Sequence, residues 1–376
     1  MFSTPEMAEA VSGRSWVRAM LRVEAALALA LARAGVIPSK AAEEIAALCR
    51  QAEFDITEIG QRAASSASPV VPLVEMLRAK LGPEAAAHVH RGATSQDIID
   101  TAMMLIARDA LDILLGTVDH VEDGCAHLAR AQGDTVMAGR TLMQRAETIT
   151  FGLKAARWLS GTMEARSPLA RYREERLALQ LGGAAGTLAG LGPSAPQIAR
   201  DMAAALGLHE PPLPWHTDRT RVAELGSALG ILAGAAGKVA LDIVLLAQDE
   251  VGEVREGGEG GRSSAMPHKR NPTGSVQVLA CVRRAQALVP VLLGAMVQEH
   301  ERAAGAWQAE WETLGDLFSL THAAVSHLAG VLESLEVNMD AMRANAASLP
   351  AQDVGSSSLL IDRVLAAYEQ SRQGGR

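Results

Sequence analysis

The chain has 376 residues, 48% hydrophobic and 21% charged, enough to bury a large core and too apolar for disorder. Its net charge of −8 excludes nucleic acid as the main partner, because no basic excess is on hand to displace counterions from phosphates. Three scattered cysteines, Cys49, Cys125 and Cys281, make neither a disulfide frame nor a zinc motif and read as buried, reduced thiols of a cytoplasmic protein. A length of this size suggests two or three domains, or one elongated helical body with appendages. With neither a basic-then-apolar leader nor an uninterrupted apolar run of about 18 residues, no signal peptide and no membrane span are expected.

Trp16, Met20, Val23, Leu27 and Leu31 recur at helical spacing and predict a helix over 15–34, stopped by Gly35. A second follows over 39–51. A Ser/Ala/Pro-rich loop at 63–72 leads into a short helix to Leu81. In His90-Arg91-Gly92-Ala93-Thr94-Ser95-Gln96-Asp97, Thr94 or Ser95 can cap a helix, with Asp97 placed for a capping box. That helix is expected to reach about Ala131. Its unpaired N–H groups and positive dipole end suit a carboxylate, and His90 just upstream could orient or protonate one. An ordinary cap with a surface histidine is the other reading.

After a loop at 133–139, Arg140-Thr141-Leu142-Met143-Gln144-Arg145 is expected to open a helix reaching about Arg166. The glycines of 182–187 are expected to interrupt the next helix. A Pro-studded connector over 193–214 precedes a helix starting at Trp215-His216-Thr217-Asp218-Arg219 and reaching about Glu253. Further helices are expected over 275–301, 307–332 and 338–345, with at most one more in the tail. No strand-like alternation is visible and aromatics are only 3%, so the class is all-α. Helices of this length suit a long-helix bundle, with assembly between subunits to cover their Ala/Leu faces.

Between two of these helices lies Gly257-Gly258-Glu259-Gly260-Gly261-Arg262-Ser263-Ser264-Ala265-Met266-Pro267-His268-Lys269-Arg270-Asn271-Pro272. A Gly/Ser loop alone reads as a linker. Here two hydroxyls on a mobile segment are followed by Lys269 and Asn271, which suits closure over an anion. The string is one letter short of a nucleophile elbow and follows a helix, not a strand, and it lacks the spacing of a phosphate loop. Together with the capped helix, such a set suits proton abstraction beside a carboxylate, where donors and positive charge stabilise an enolate-like intermediate. Charge at Gln298-Glu299-His300-Glu301-Arg302 is either a solvated helix end or the rim of the same pocket.

The ten residues from Ser263 to Pro272 resemble the signature loop of the fumarase/aspartase superfamily, and the blocks at 90–97 and 182–187 fall in the family's order. The resemblance spans roughly residues 2–345. It implies an all-α homotetramer with a central bundle shared by four subunits, active sites built from three chains, and C–X bond cleavage β to a carboxylate without a cofactor or metal. By the same resemblance Ser263 is the base, with Ser264 second, and Thr94, Ser95, Gln144, Lys269 and Asn271 hold carboxylates. The implied organisation is an N-terminal helical domain over 1–97, a central bundle over 98–345 and a reduced C-terminal tail over 346–376.

The adenylosuccinate lyase branch carries a histidine in Thr-His-x-Gln where this chain has Thr141-Leu142-Met143-Gln144, and a His-Asp pair where this chain has Ser65-Ser66-Ala67-Ser68-Pro69. The strings 215–219 and 298–311 are instead similar to the lactone-forming branch. That implies a small-molecule tricarboxylate substrate, with Lys269, Arg270, His300 and Arg302 as basic groups at its pocket. Arg262 stands where the family usually has glycine.

Overall fold

The computed structural model describes residues 1–258, 260–261, 266, 269–349 and 353–374. Helices α1 (Pro5–Ala10), α2 (Gly13–Arg33), α3 (Ser39–Gln51), α4 (Ile56–Ala63), α5 (Val70–Ala79) and α6 (Pro83–Ala86) precede the longer α7 (Ser95–Ala131). A hairpin of β1 (Val136–Thr141) and β2 (Gln144–Thr150) leads into α8 (Phe151–Glu175). Then come α9 (Ala195–Leu206), α10 (Thr220–Leu246), β3 (Val254–Glu256) and α11 (Thr273–Gly294). The chain closes with α12 (Ala306–Glu333), β4 (Leu335–Val337), α13 (Met339–Ala346) and α14 (Ser357–Gly374).

The all-α class holds, with corrections. Residues 140–145 do not open a helix. They form a hairpin in which Arg140 pairs with Arg145 and Thr141 with Gln144, and Leu142 and Met143 turn the corner at φ of 49° and 67°. Two consecutive left-handed residues make a turn whose twist matches a hairpin, so the chain reverses where helical spacing had suggested continuation. A second small sheet pairs β3 with β4, so strands exist that alternation did not reveal. The helix expected from Trp215 starts only at Thr220 and stops at Leu246, because Arg219 is held by buried acids (below) and the chain turns at 247–252. The helix expected to reach Glu301 ends at Gly294. Gly182 to Thr187 lies in the connection between α8 and α9 and interrupts no helix.

The core runs along α2, α7, α8, α10 and α12. From Gln96 to Ala107 every residue of α7 is buried, so its polar members must find partners inside the protein. Thr101 does so with Gln180, donating to its carbonyl and accepting from its N–H at 2.9 and 3.0 Å. By length and composition α10 and α11 could span a bilayer. Here α10 packs among α8, α11 and α12, with half of its most apolar window buried, against 28% for α11. Ile231, Val276, Leu293 and Val297 thus remain exposed on one chain. All three cysteines are buried and unpaired, as the sequence suggested.

The long helices give the molecule two ends. Arg219, just before α10, bonds Asp100 on the second turn of α7 and Glu310 on the second turn of α12, so these three helices start together. At the far end Glu253, just after α10, is fully buried and accepts both Arg140 nitrogens at 2.8 and 2.9 Å and Asn345 Nδ2 at 2.9 Å. The hairpin, β3 and α13 therefore cluster there, with Arg270 and Asn271 beside them. The 27 residues of α10 separate the two ends by about 40 Å.

Candidate active site

At the first end, Thr94 is the N-cap of α7 and its N–H donates to the Asp97 carboxylate at 2.9 Å, the reciprocal bond that a capping box requires. Asp97 does more than cap. Fully buried, it also accepts the Gly182 and Gly183 N–H groups, both at 2.9 Å, and lies 2.7 Å from His216 Nε2. One carboxylate thus uses its acceptor sites to tie α7, the 182–183 connection and the run before α10 together. Gly92 makes the close approach possible: its φ is +77°, and an added Cβ would stand 2.4 Å from Leu191 Cδ2.

Arg302 enters this junction from between α11 and α12. Its Nη1 donates to Thr94 Oγ1 at 2.8 Å and its Nη2 reaches the Gly183 carbonyl at 3.4 Å, while its Nε is buried without a hydrogen-bond partner among the described residues. With its oxygen occupied, the Thr94 hydroxyl keeps its own proton to donate. Ser95 is half-buried beside it. A guanidinium, a hydroxyl and the N-terminus of a 37-residue helix converge, an arrangement suited to a carboxylate. His90, half-buried, sits four positions before Thr94, with Nδ1 2.6 Å from Glu24. Burial pulls its pKa down, but the Glu24 charge and hydrogen bond outweigh that and raise it above the ordinary histidine value. His300 is exposed on the same segment as Arg302, with a left-handed φ of 43°.

Beneath this cradle lies an ionic network that the sequence reading missed. Arg219 is fully buried between Asp100 (2.8 and 3.0 Å) and Glu310 (2.5 to 3.2 Å), with its guanidinium 4.9 Å over the Trp215 ring. Trp307 Nε1, Gln96 Nε2 and Gln180 Nε2 donate to Asp100, and Gln298 donates to Glu310 at 3.3 Å. Burial pushes the Glu310 carboxyl up to about 7 against the pull of Arg219. No local signal marks the set, since Arg219 and Asp100 stand 119 residues apart in sequence.

The remaining expected residues lie at the second end. Gln144 is exposed at the hairpin, where Leu142 is 97% exposed at the apex. Lys269 is exposed. Asn271 points back into its own loop: its N–H and Nδ2 both donate to the Gly261 carbonyl, at 2.8 and 3.2 Å. Glu256 then accepts the Gly274 and Ser275 N–H groups at 2.8 Å, capping α11 where the loop ends. Arg262, Ser263 and Ser264 lie outside the described residues. The structure thus brings Thr94, Ser95 and Arg302 together, with His90 and His300 nearby. It sets Gln144, Lys269 and Asn271 at the opposite end of the same chain. Among the described residues no group of three or more His, Cys, Asp or Glu is arranged to hold a metal.

The family model described as Lyase matches residues 2–286, and the chain belongs to that family, with the helical fold of the fumarase/aspartase type. Over 350 residues it is 45% identical to the 3-carboxy-cis,cis-muconate cycloisomerase of Bradyrhizobium diazoefficiens, covering 92% of this chain and 78% of that protein. The nitrosuccinate lyase of Streptomyces davaonensis is 44% identical over 89% of this chain and 73% of its own. The crystal structure of the 3-carboxy-cis,cis-muconate lactonizing enzyme of Pseudomonas putida matches with a TM-score of 0.94 at 34% identity, over 98% of each chain.

Proposed function

We propose that this chain interconverts 3-carboxy-cis,cis-muconate and 4-carboxymuconolactone, in a cytoplasmic route of aromatic-acid breakdown through protocatechuate. One carboxylate of the substrate adds across its own double bond to close the lactone. The displaced electron pair collects beside a second carboxylate, and that carbon takes a proton. Because the nucleophile is intramolecular, no amine or water has to be activated. The observation that carries the reading is Leu142, at the exposed apex of the hairpin, where the adenylosuccinate branch has histidine. A carboxylate leaving group needs no acid at that place. The likeness to enzymes named for this reaction supports it.

In this reading the carboxylates are held by Thr94, Ser95, Arg302, Lys269, Asn271 and Gln144, and Ser263 moves the proton. The roughly 40 Å between the two halves makes the site an assembly property. A homotetramer with antiparallel bundles places the first end of one copy against the second end of another, and the exposed apolar faces of α10 and α11 supply the contact. A second reading, favoured by the nitrosuccinate lyase relative, has nitrosuccinate as substrate.

Loss of the diene absorbance of 3-carboxy-cis,cis-muconate, followed for wild type and Ser263→Ala, tests the proposal, with nitrosuccinate, adenylosuccinate and fumarate as comparison substrates. Turnover of the muconate alone, abolished in a folded Ser263→Ala protein, is the expected result. Turnover of a comparator and not of the muconate replaces the substrate, and an active Ser263→Ala moves the base elsewhere.

A further inference from the structure

One buried carboxylate has no part in the cradle as described. Glu24 is 1% exposed on a face of α2 otherwise made of Ala, Leu, Val and Met. Its Oε1 lies 2.6 Å from His90 Nδ1, and its Oε2 is buried with no hydrogen-bond partner among the described residues. A carboxylate removed from water is costly unless a cation or several donors compensate it. Among the described residues the imidazole is the only group bonded to it.

His90 holds a backbone conformation that non-glycine residues rarely adopt, with φ at +62°, a strain that persists only where the surroundings enforce it. The bond to Glu24 is the one side-chain hydrogen bond His90 makes among the described residues, so Nε2 is left over. From His90 the chain runs through Gly92, packed on Gly190 and Leu191, to Thr94, where Arg302 attaches. The imidazole therefore stands on the same short loop as the carboxylate cradle.

We propose that Glu24 is a positioning residue for substrate binding, holding His90 as an imidazolium whose free Nε2–H joins Arg302 and the N-terminus of α7 in receiving a substrate carboxylate. The choice of ligand rests on the muconate reading; the pair itself does not.

Three elements face His90 with charge: Glu24 from α2, Asp97 from α7 and Arg78 from α5. Burial and Arg78 disfavour the cation, while Glu24 and Asp97 favour it and prevail. On the other side of Glu24 lies Cys49 of α3, whose thiol burial pushes up to about 12, so it brings no competing charge at neutral pH. Since the folded pKa of His90 is raised, the cation and the binding it supports are complete at lower pH. Both are lost as pH rises through that pKa.

The test combines an NMR titration of the His90 Cε1–H with KM against pH for wild type, Glu24→Gln and His90→Gln on 3-carboxy-cis,cis-muconate. In wild type the titration midpoint is expected above 6.5, and in Glu24→Gln lower by about one unit or more. Wild-type KM should rise about tenfold through that midpoint with kcat little changed, a hydrogen bond to a charged group being worth at least that much. In Glu24→Gln the rise should move to lower pH, and in His90→Gln it should vanish. Should Glu24→Gln not fold, Glu24→Asp keeps the charge and should keep the raised midpoint. A wild-type midpoint at or below 6.5, or Glu24→Gln curves that overlie wild type, overturns the proposal. If the muconate is not turned over at any pH, the substrate reading fails, and the titration still decides the pair.

Discussion

Arg219 and Asp100 face each other in a two-pronged ion pair, at 2.8 and 3.0 Å, with both side chains wholly out of solvent. The second prong of the guanidinium is shared with Glu310. Burial alone would lower the Arg219 pKa, but the two carboxylates reverse this and raise it. The pair joins the start of α10 to α7 beneath the Thr94 cap, so the cradle's geometry rests on it.

Replacing Arg219 with Met leaves Asp100 and Glu310 buried without a counter-charge. The expected loss is about 3–5 kcal/mol of stability, because stranding a buried charge costs more than the pair itself contributes. Urea denaturation checks this: the midpoint should fall with the slope unchanged. A midpoint within experimental error of wild type would mean the acids are protonated or hydrated at no cost.

Arg302→Ala removes the donor to Thr94 Oγ1 and its guanidinium from the cradle. KM for the muconate should rise about tenfold to a hundredfold, the range for a lost charge-assisted bond. Arg302→Lys should recover only part of it, since an ammonium lacks the fork that spans Thr94 and the Gly183 carbonyl. Steady-state kinetics at fixed ionic strength measure both.

Thr94 caps α7 at the first end of the chain, and the proposed function takes Ser263 from a neighbouring copy. Thr94→Val and Ser263→Ala are each expected to lose most activity as pure proteins. Denatured together and refolded, they should regain a measurable fraction, because in the proposed assembly some hybrids contain a site with both residues intact. An inactive mixture of folded protein would place both functions in one chain.

Glu122, on α7, has a pKa pushed up to about 7 from 4.5, mainly by burial, against the pull of Arg166 and Arg372. The folded chain therefore holds a proton that the unfolded chain releases, and this contribution to stability is lost as pH rises from about 4.5 through about 7. Its full extent is about 3 kcal/mol. Glu122→Gln should match wild type near pH 4.5 and exceed it by about that amount at pH 8, read from denaturation midpoints. Curves that stay parallel across the range would show that Glu122 does not titrate this way.

The elements that were legible in the sequence are those whose information is local. The helix expected over 39–51 is found over those residues, and the α7 start was marked by Thr94 and Asp97 three positions apart. The hairpin at 136–150 was not, because its turn is made by Leu142 and Met143 and not by Asn-Gly or Gly-Gly, so no turn residue announced it. Asp97 was readable as a cap but not as the acceptor for Gly182, Gly183 and His216, which lie 85 to 119 residues away in sequence. Glu24 and Glu310 look like the polar members of amphipathic helices until the fold encloses them.

By itself the sequence determined the helical class, the signature loop and the capped start of α7, because spacing, caps and a contiguous motif act over a few residues. Only the tertiary structure decided which residues can share a site. Rigid helices set Thr94 and Arg302 about 40 Å from Lys269 and Gln144, so a single chain does not bring them together. It also decided which acids pair, since burial of Glu24, Asp100 and Glu310 exists only once distant helices close over them and water is gone.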